Sequence, residues 1–563
     1  MDFTAQITDF VKKALDISET EAQELLETPP EREMGDLALV CFKLAKRMRK
    51  APQAIVAELQ ETLDWPEFVS RVEGKGAYLN IFFDKAMRAK NVLEAVLRAG
   101  ENYGASHTGQ GKTVCIDFSS INIAKPFHIG HLSSTAIGNA LYRIYGFLGY
   151  TCVGINHLGD WGTQFGKLIV AYKLWGNREE IEEHSVESML KLYVRFHDEA
   201  ENDPSLEDQA REWFRRIEDG DPEALEIFNW FKELTLKEAG RVYRLLNVHF
   251  DSYAGESFYN DKMDRVISEL RKKDLLTYSD GAWVVDLSEY GMPPCLLLKS
   301  DGATLYATRD IAAALYRKDT YGFDKVLYVV AYQQNLHFAQ WFKVVELMGY
   351  AWSRDLEHVA FGMVSMEEGT LSTRRGKVVF LEDVLNKAIE KALEIINEKS
   401  PGLEDKEAVA RQVGVGAVVW GTVSNARIKD IVFSYDRALN FEGETAPYVQ
   451  YTCARAGSVL EKAPAVSGEI DYSLLCDDEA SEAVRMLEAF PGRIQEAAMR
   501  NEPYIIARHI VDLAQAFNRF YYEHRIIGED TARMQARLAL VQAVRCCLRR
   551  GLWLLGIEAP EHM

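Results

Sequence analysis

Lys125, His128, Gly130 and His131 bring a lysine and two imidazoles into one short stretch of the chain. The residues before them, TVCIDFSS (113–120), read as a strand, because Val114, Ile116 and Phe118 are β-formers at alternating positions. After them, Leu132, Ile137, Leu141, Ile144 and Leu148 recur at helical spacing and stop at Gly149. A strand, a tight loop and a helix are thus predicted in that order. A helix N-terminus presents unpaired N–H groups and a positive dipole end, so it suits phosphate. Two imidazoles there can follow charge that develops on a phosphate during displacement. In a Rossmann-type sheet, nucleotides bind at the carboxyl ends of such strands. The segment is therefore a candidate nucleotide-activation site; two histidines that only cap the helix start are the plain alternative.

The elements that would position this site lie in a long chain. At 563 residues it exceeds a single core, and about three or four domains are expected. The formal net charge of −20 argues against a protein that coats nucleic acid nonspecifically, but leaves room for an RNA partner held by local patches. Two stretches depart from the acidic average. FKLAKRMRK (42–50) carries five basic residues, and 491–563 holds ten arginines against eight acids. Solvated helix faces are the ordinary reading of both. The eight cysteines include no C-x-x-C, so neither a zinc site nor a disulfide framework is indicated, and a reducing cytoplasmic compartment is expected. No apolar run is long enough to span a membrane, and the amphipathic N-terminus has no signal-peptide core.

Along the chain, residues 1–105 mix helical segments with a strand-like KGAYLNIFF (75–83), and ENYGASHTGQGK reads as a linker. The α/β pattern of 113–175 is interrupted by a charged helical stretch, about 178–275, and by TYSDGAWVVDL, a hairpin around Asp280-Gly281. It resumes with DKVLYVV (324–330) and HVAFGMV (358–364), both strand-like. From about 381 onward the apolar spacing is almost entirely helical. The expected division is 1–105, a nucleotide-binding core at 106–395 with an insertion at about 178–300, a helical connector at 396–447, and a helical domain at 448–563.

These motifs resemble those of the class I aminoacyl-tRNA synthetases, and within them the arginyl-tRNA synthetase family. The likeness lies in DFSSINIAKPFHIGHLSSTAIGNALYRIYGFLGY (117–150), NHLGDWGTQFGKL (156–168), DGATLYATRD (301–310), YVVAYQQNLHFAQ (328–340), FGMVSMEEGTLSTRRGKVV (361–379) and FEGETAPYVQYTCARAGSVL (441–460). It runs through essentially the whole chain in the family's order. The resemblance implies an α/β Rossmann-type catalytic core with an insertion, a small N-terminal α+β domain and an all-α C-terminal anticodon-binding domain. It implies ATP-dependent activation of L-arginine and transfer to tRNA(Arg), with Mg²⁺ accompanying ATP; no zinc and no membrane are expected from the residues, and domains on both sides of the core, with no marked dimer seam, are compatible with a monomer wrapping one tRNA.

The resemblance also implies roles. His128 and His131 are the signature histidines, with Gly130 letting the backbone approach the nucleotide. Thr373 stands where the second class signature has its usual lysine, and Lys125 matches the lysine thought to replace that charge. Ser372, Arg374, Arg375, His337, Gly362 and Met363 are ATP-binding candidates; exposed loop arginines, a buried histidine and plain packing are the alternatives. A guanidinium is planar and best held by carboxylates accepting paired hydrogen bonds. Tyr306 and Asp310 share a helix face and, with Asp117 at the end of the first core strand, are expected to hold it; a cap is the plain reading of Asp117. Asn122 and Gln334 match positions for the amino and carboxylate ends. Asn156, Asp160, Trp161 and Gln164 belong to a motif lining the same pocket, though Trp161 equally suits a core.

For tRNA, the expected contacts are Tyr78 and Asn80 with the 43–50 basic cluster, and Tyr448, Gln450, Tyr451 and Arg455. An aromatic-polar group of Phe517, Asn518, Phe520, Tyr521 and Tyr522 suits base stacking, or else a helix core. Two other functions compete. A cysteine-charging relative would want a zinc set to select a thiolate, and glutamate or glutamine would favour basic contacts. A synthetase-like binding protein without chemistry is opposed by intact Lys125, His128, His131, Tyr306 and Asp310.

Overall fold

A computed structural model describes residues 3–367, 379–466, 468–528 and 530–563. They gather into two compact units, one of residues 1–103, 455–491 and 512–548, the other of 104–454, 492–511 and 549–563.

In the first unit, alternation along KGAYLNIFF yields a strand. The strands Leu26–Glu27 (β1), Leu37–Val40 (β2), Val69–Lys75 (β3) and Tyr78–Phe83 (β4) form an antiparallel sheet in the order β1-β2-β4-β3. Leu79, Ile81 and Phe83 join Phe3, Ile7, Ile55 and Leu59 from the helices Phe3–Leu15 and Pro52–Thr62 in one apolar core. The α+β expectation for this region holds.

The second unit contains the parallel sheet. Thr113–Asp117 (β5) leads through the histidine loop into the helix Leu132–Phe147 and then Thr151–Ile155 (β6). Gly149 ends that helix with φ 87, a conformation that favours glycine. The insertion follows: helices Arg178–Ala200, Ser205–Glu218 and Pro222–Leu245, then Met263–Lys272. After these comes an antiparallel sheet of Thr277–Ser279 (β7), Ala282–Val285 (β8) and Cys295–Lys299 (β9). Asp280 and Gly281 both have positive φ, as the Asp-Gly hairpin turn requires, and β9 adds a strand that the hairpin motif alone did not announce.

The chain returns to the parallel sheet through the helix Tyr306–Tyr321, Lys325–Tyr328 (β10), the helix Asn335–Leu347 and Leu356–His358 (β11). Strand order β11-β10-β5-β6 reverses direction between β5 and β10, the topological switch point at which such sheets open a crevice for ligands. Trp341, Val326, Phe323 and Ile311 are among the buried residues that fill one face.

HVAFGMV is not one strand. β11 ends at His358 and a new strand, Val364–Met366 (β12), pairs in parallel with Ile431–Phe433 (β13). The residues between turn aside because Phe361 O accepts from Tyr332 N and Gly362 N donates to Arg427 O. Beyond 381 the remaining long elements are helices, from Leu381–Lys399 to Thr531–Leu554, with β13 the exception. Among the described residues, no helix is long and apolar enough to cross a membrane.

Candidate active site

The loop after β5 is held under local strain. Ser119, Ser120 and Ala124 all have positive φ, which non-glycine residues adopt only where surrounding bonds impose it. Those bonds are present. Ser119 N donates to Ser134 Oγ at 2.8 Å, Ser119 Oγ lies 2.9 Å from Tyr243 Oη, and Ala124 N donates to Thr235 Oγ1 at 3.1 Å. Tyr243 and Thr235 come from the insertion helix Pro222–Leu245, so the insertion helps hold the histidine loop. Asn122 pairs with Gly159 of the NHLGDWG motif, where a Cβ would come within 2.3 Å of Asn122 Oδ1. Any side chain there must displace the Asn122 amide.

The loop delivers two imidazoles 4.1 Å apart between ring centroids. His128 Nδ1 accepts from Gly130 N at 3.0 Å, so the ring proton is assigned to Nε2. His131 Nδ1 lies 3.3 Å from His128 N. Both rings therefore cap the helix start, as the plain reading supposed, and the caps fix their orientation. A Cβ at Gly130 would stand 2.7 Å from His128 Cε1, so the glycine makes room for the ring as well as for a ligand. Burial and then the Lys125 charge lower the pKa of His128; burial and then His128 push His131 down to about 3. Both are neutral donors at neutral pH.

The segment after the second signature grips the same loop. His128 bridges to Phe380, Ile129 N donates to Val379 O at 3.1 Å, and Leu381 N donates to Phe127 O at 2.9 Å. Ser372, Thr373, Arg374 and Arg375 lie outside the described residues. Gly362 and Met363 are tied to the 427–431 segment: a Cβ at Gly362 would meet Lys429 O at 2.3 Å, and Met363 N donates to Asp430 Oδ1 at 2.7 Å.

Tyr306, 67% exposed, and Asp310 stand in the first turns of one helix. Asp310 Oδ2 meets His337 Nε2 at 2.6 Å, which places His337 against an acid of the expected guanidinium pocket. Gln334 is exposed at the start of the helix that carries His337. Asn156 and Asp160 are fully buried supports. Asn156 Nδ2 donates to Tyr243 Oη at 2.8 Å, while Asp160 accepts from Ser257 N, Ser257 Oγ and Lys232 Nζ at 2.8, 2.7 and 2.6 Å. Half-buried Trp161 packs edge-on against Phe214 and Phe228, and Gln164 Nε2 lies 3.5 Å from Trp161 O.

Asp117 differs from expectation. It is 5% exposed, and its oxygens accept from Arg317 Nη2 at 2.7 Å and Ser120 Oγ at 2.9 Å. Its charge is already met by a guanidinium of the chain itself.

Glu256 was missed. Burial pushes its carboxyl up to about 7 against the pull of Arg309, with Asp310 and Asp160 adding to the rise. It therefore shares a neighbourhood with Asp310. The charged helical stretch is interrupted at 246–262, where residues 251–252 run beside β6 and Asn156 N donates to Ser252 O at 2.9 Å. The available signal was Gly255, whose Cβ would come within 2.6 Å of Asp160 Oδ1.

The expected tRNA residues separate by burial. Tyr78 packs edge-on with exposed Phe42, but Asn80 is buried within its sheet at 5% exposure. Of the basic cluster, Lys43 bonds Glu24 O, Arg47 bonds Asp16 O, and Lys50 pairs with Glu58. Tyr451 is exposed and Tyr448 half-buried, whereas Gln450 is fully buried, its Nε2 donating to Gln412 O and Glu558 O at 3.1 and 2.7 Å. Arg455 Nη1 donates to Asn518 Oδ1 at 2.7 Å and lies 5.2 Å from the Tyr521 ring. Phe517 and Phe520 are core, and Tyr522 is 86% exposed.

Among the described residues, Asp477, Glu479 and His524 have the spacing of a metal-ligand group. Arg537 Nη2 faces His524 Nδ1 at 3.2 Å, so Nε2 carries the proton and points at the two carboxylates. With the proton on Nε2 the ring is a poor metal ligand there, since a ligating Nε2 must be unprotonated.

The architecture agrees with what known proteins show. Residues 92–435 match the model "tRNA synthetases class I (R), catalytic domain", 449–563 the "DALR anticodon binding domain", and 1–83 the "Arginyl tRNA synthetase N terminal domain". The chain is 56% identical to an arginine–tRNA ligase of Alkaliphilus metalliredigens and 55% to one of Clostridioides difficile, each over the full length of both chains. The arginyl-tRNA synthetase of Thermus thermophilus superposes with a TM-score of 0.79 at 26% identity, covering 99% of each chain. A class I catalytic domain, with matching N-terminal and anticodon-binding domains before and after it in the chain, places this chain in the arginyl-tRNA synthetase family.

Proposed function

We infer that the chain is an arginine–tRNA ligase: it activates L-arginine with ATP to arginyl-adenylate and transfers the arginyl group to the 3′ end of tRNA(Arg). The observation that carries the arginine reading is Asp310, one turn along its helix from exposed Tyr306, with the carboxyl of Glu256 nearby, which also feels the charge of Lys125 in the histidine loop. Carboxylates in a half-buried pocket suit a permanent planar cation.

In the first step the substrate carboxylate attacks the α-phosphate and the bond to pyrophosphate breaks. No enzyme nucleophile is required, so catalysis is positioning and charge stabilisation. His128 donates from Nε2 toward the phosphate, with His131 beside it and Lys125 supplying positive charge. ATP enters with Mg²⁺. Asp310, Glu256 and Tyr306 hold the guanidinium, and Asn122 and Gln334 the amino and carboxylate ends. Gly362 and Met363 border the nucleotide, Ser372, Arg374 and Arg375 of the second signature are assigned to bind it, and His337 supports Asp310. In the second step the terminal ribose hydroxyl displaces AMP from the adenylate. Tyr78, Tyr448, Tyr451, Arg455 and Tyr521 are the tRNA contacts that their placement supports. The enzyme works as a monomer in the cytoplasm, a setting that eight free cysteines suit.

Incubation with ATP, Mg²⁺, tRNA and each of five labelled amino acids tests this reading. Arginine is expected to be attached, and cysteine, lysine, glutamate and glutamine left free. Attachment of cysteine, or of none, contradicts it.

A further inference from the structure

We propose that Arg317 is a positioning residue for the substrate's side chain and that Asp117 is its counter-ion, not a contact of the substrate. The proposal rests on the arginine-ligase reading and refines which acids serve the substrate.

The geometry is that of a buried ion pair joined through one guanidinium nitrogen, with Arg317 Nε and Nη1 buried and without a hydrogen-bond partner among the described residues. Arg317 is 1% exposed, and its Nη2 lies 2.7 Å from Asp117 Oδ2. The other Asp117 oxygen accepts from Ser120 Oγ at 2.9 Å. His157 Nδ1 is 3.5 Å from the same Nη2, and the guanidinium carbon is 5.5 Å from the Tyr328 ring centroid. Arg317 lies on the helix Tyr306–Tyr321, about two turns beyond Asp310 and on the same side. Asp117 ends β5 and Tyr328 ends β10, so the pair pins the substrate helix into the crevice between the two strands.

The pair is also close to the acids that serve the substrate. Buried His157 feels the charges of Asp117, Arg317, Asp310 and Asp160 together, and the Tyr328 hydroxyl those of Arg317, Asp117 and Asp310. A pocket for a cation tolerates a buried arginine only if that arginine is neutralised. Without Asp117, Arg317 turns its charge on the acids meant for the substrate and repels the incoming guanidinium. Without Arg317, Asp117 is a buried acid with no cation, and the helix loses its pin.

This logic separates a counter-ion from a substrate contact, because neutralising both partners of a buried pair is often tolerated whereas removing one is not. The test uses the full chain, with tRNA charging followed against arginine concentration at saturating ATP. Asp117→Asn is expected to raise the arginine KM by about 10-fold or more while the ATP KM moves by less than about 2-fold. The double variant Asp117→Asn/Arg317→Met is expected to bring it back to within about 3-fold of wild type. Arg317→Lys, which keeps the charge without the planar fork, should raise the arginine KM with an unchanged Tm. Should Asp117→Asn not fold, the double variant and Arg317→Lys carry the test. A double variant whose arginine KM stays at least 10-fold above wild type, or a wild-type KM in Arg317→Lys, overturns the proposal. Wild-type charging is measured alongside: its absence strikes the ligase reading, whereas normal wild-type charging with an unrescued double variant strikes the counter-ion assignment alone.

Discussion

Asp117 and Asp310 both stand at the edge of the same crevice and belong to the same class of residue, yet the molecule treats them differently. Asp117 is closed, its oxygens taken by Arg317 and Ser120. Asp310 is more than a quarter exposed along its side chain and, among the described residues, hydrogen-bonds a histidine, with the carboxyl of Glu256 nearby. A buried charge that the chain neutralises contributes to architecture; an accessible one that the chain leaves under-neutralised has capacity for a ligand. The same contrast divides Gln450, bonded to two carbonyls in the interior, from exposed Tyr451 beside it.

The contrast can be broken at several points. Lys125 supplies charge to the histidine loop, where it is felt by both imidazoles and by Glu256. Lys125→Ala should lower turnover by about 10²–10³-fold with little change in the arginine KM. Survival of activity there, with loss in Arg374→Ala or Arg375→Ala, would place the needed charge on the other signature.

Glu256 sharpens the contrast by pH. With its carboxyl near 7, it must lose a proton to accept a guanidinium, so arginine binding releases that proton and tightens as pH rises through neutrality. The arginine KM should fall about 10-fold from pH 6 to 8 in the wild type and stay flat in Glu256→Gln. A pH-dependent KM in that variant would assign the proton elsewhere.

Gln450→Ala tests the closed side. It should cost about 1–3 kcal/mol of stability, seen as a lower Tm, and leave the tRNA KM unchanged. A raised tRNA KM at unchanged Tm would return Gln450 to the RNA surface.

Much of this was legible in the sequence. The strand at 113–117, the helix from Leu132, the Asp-Gly hairpin and the helical C-terminal region follow from local periodicity and turn chemistry, which the tertiary structure leaves in force. What was not legible is pairing at a distance. Nothing local tells Asp117 that Arg317 will arrive from a helix across the insertion, and nothing tells Asn80 that its strand will bury it. Glu256 escaped for a related reason. Its segment has neither helical nor strand periodicity and is shaped by bonds to Asp160 and Asn156, supplied by another element.

The arginine dependence of tRNA charging by Asp310→Asn tests the account most directly, because the whole assignment of substrate places the guanidinium on that carboxylate. The account predicts an arginine KM raised by at least about 30-fold, with the ATP KM within about 2-fold of wild type. An unchanged arginine KM would contradict it.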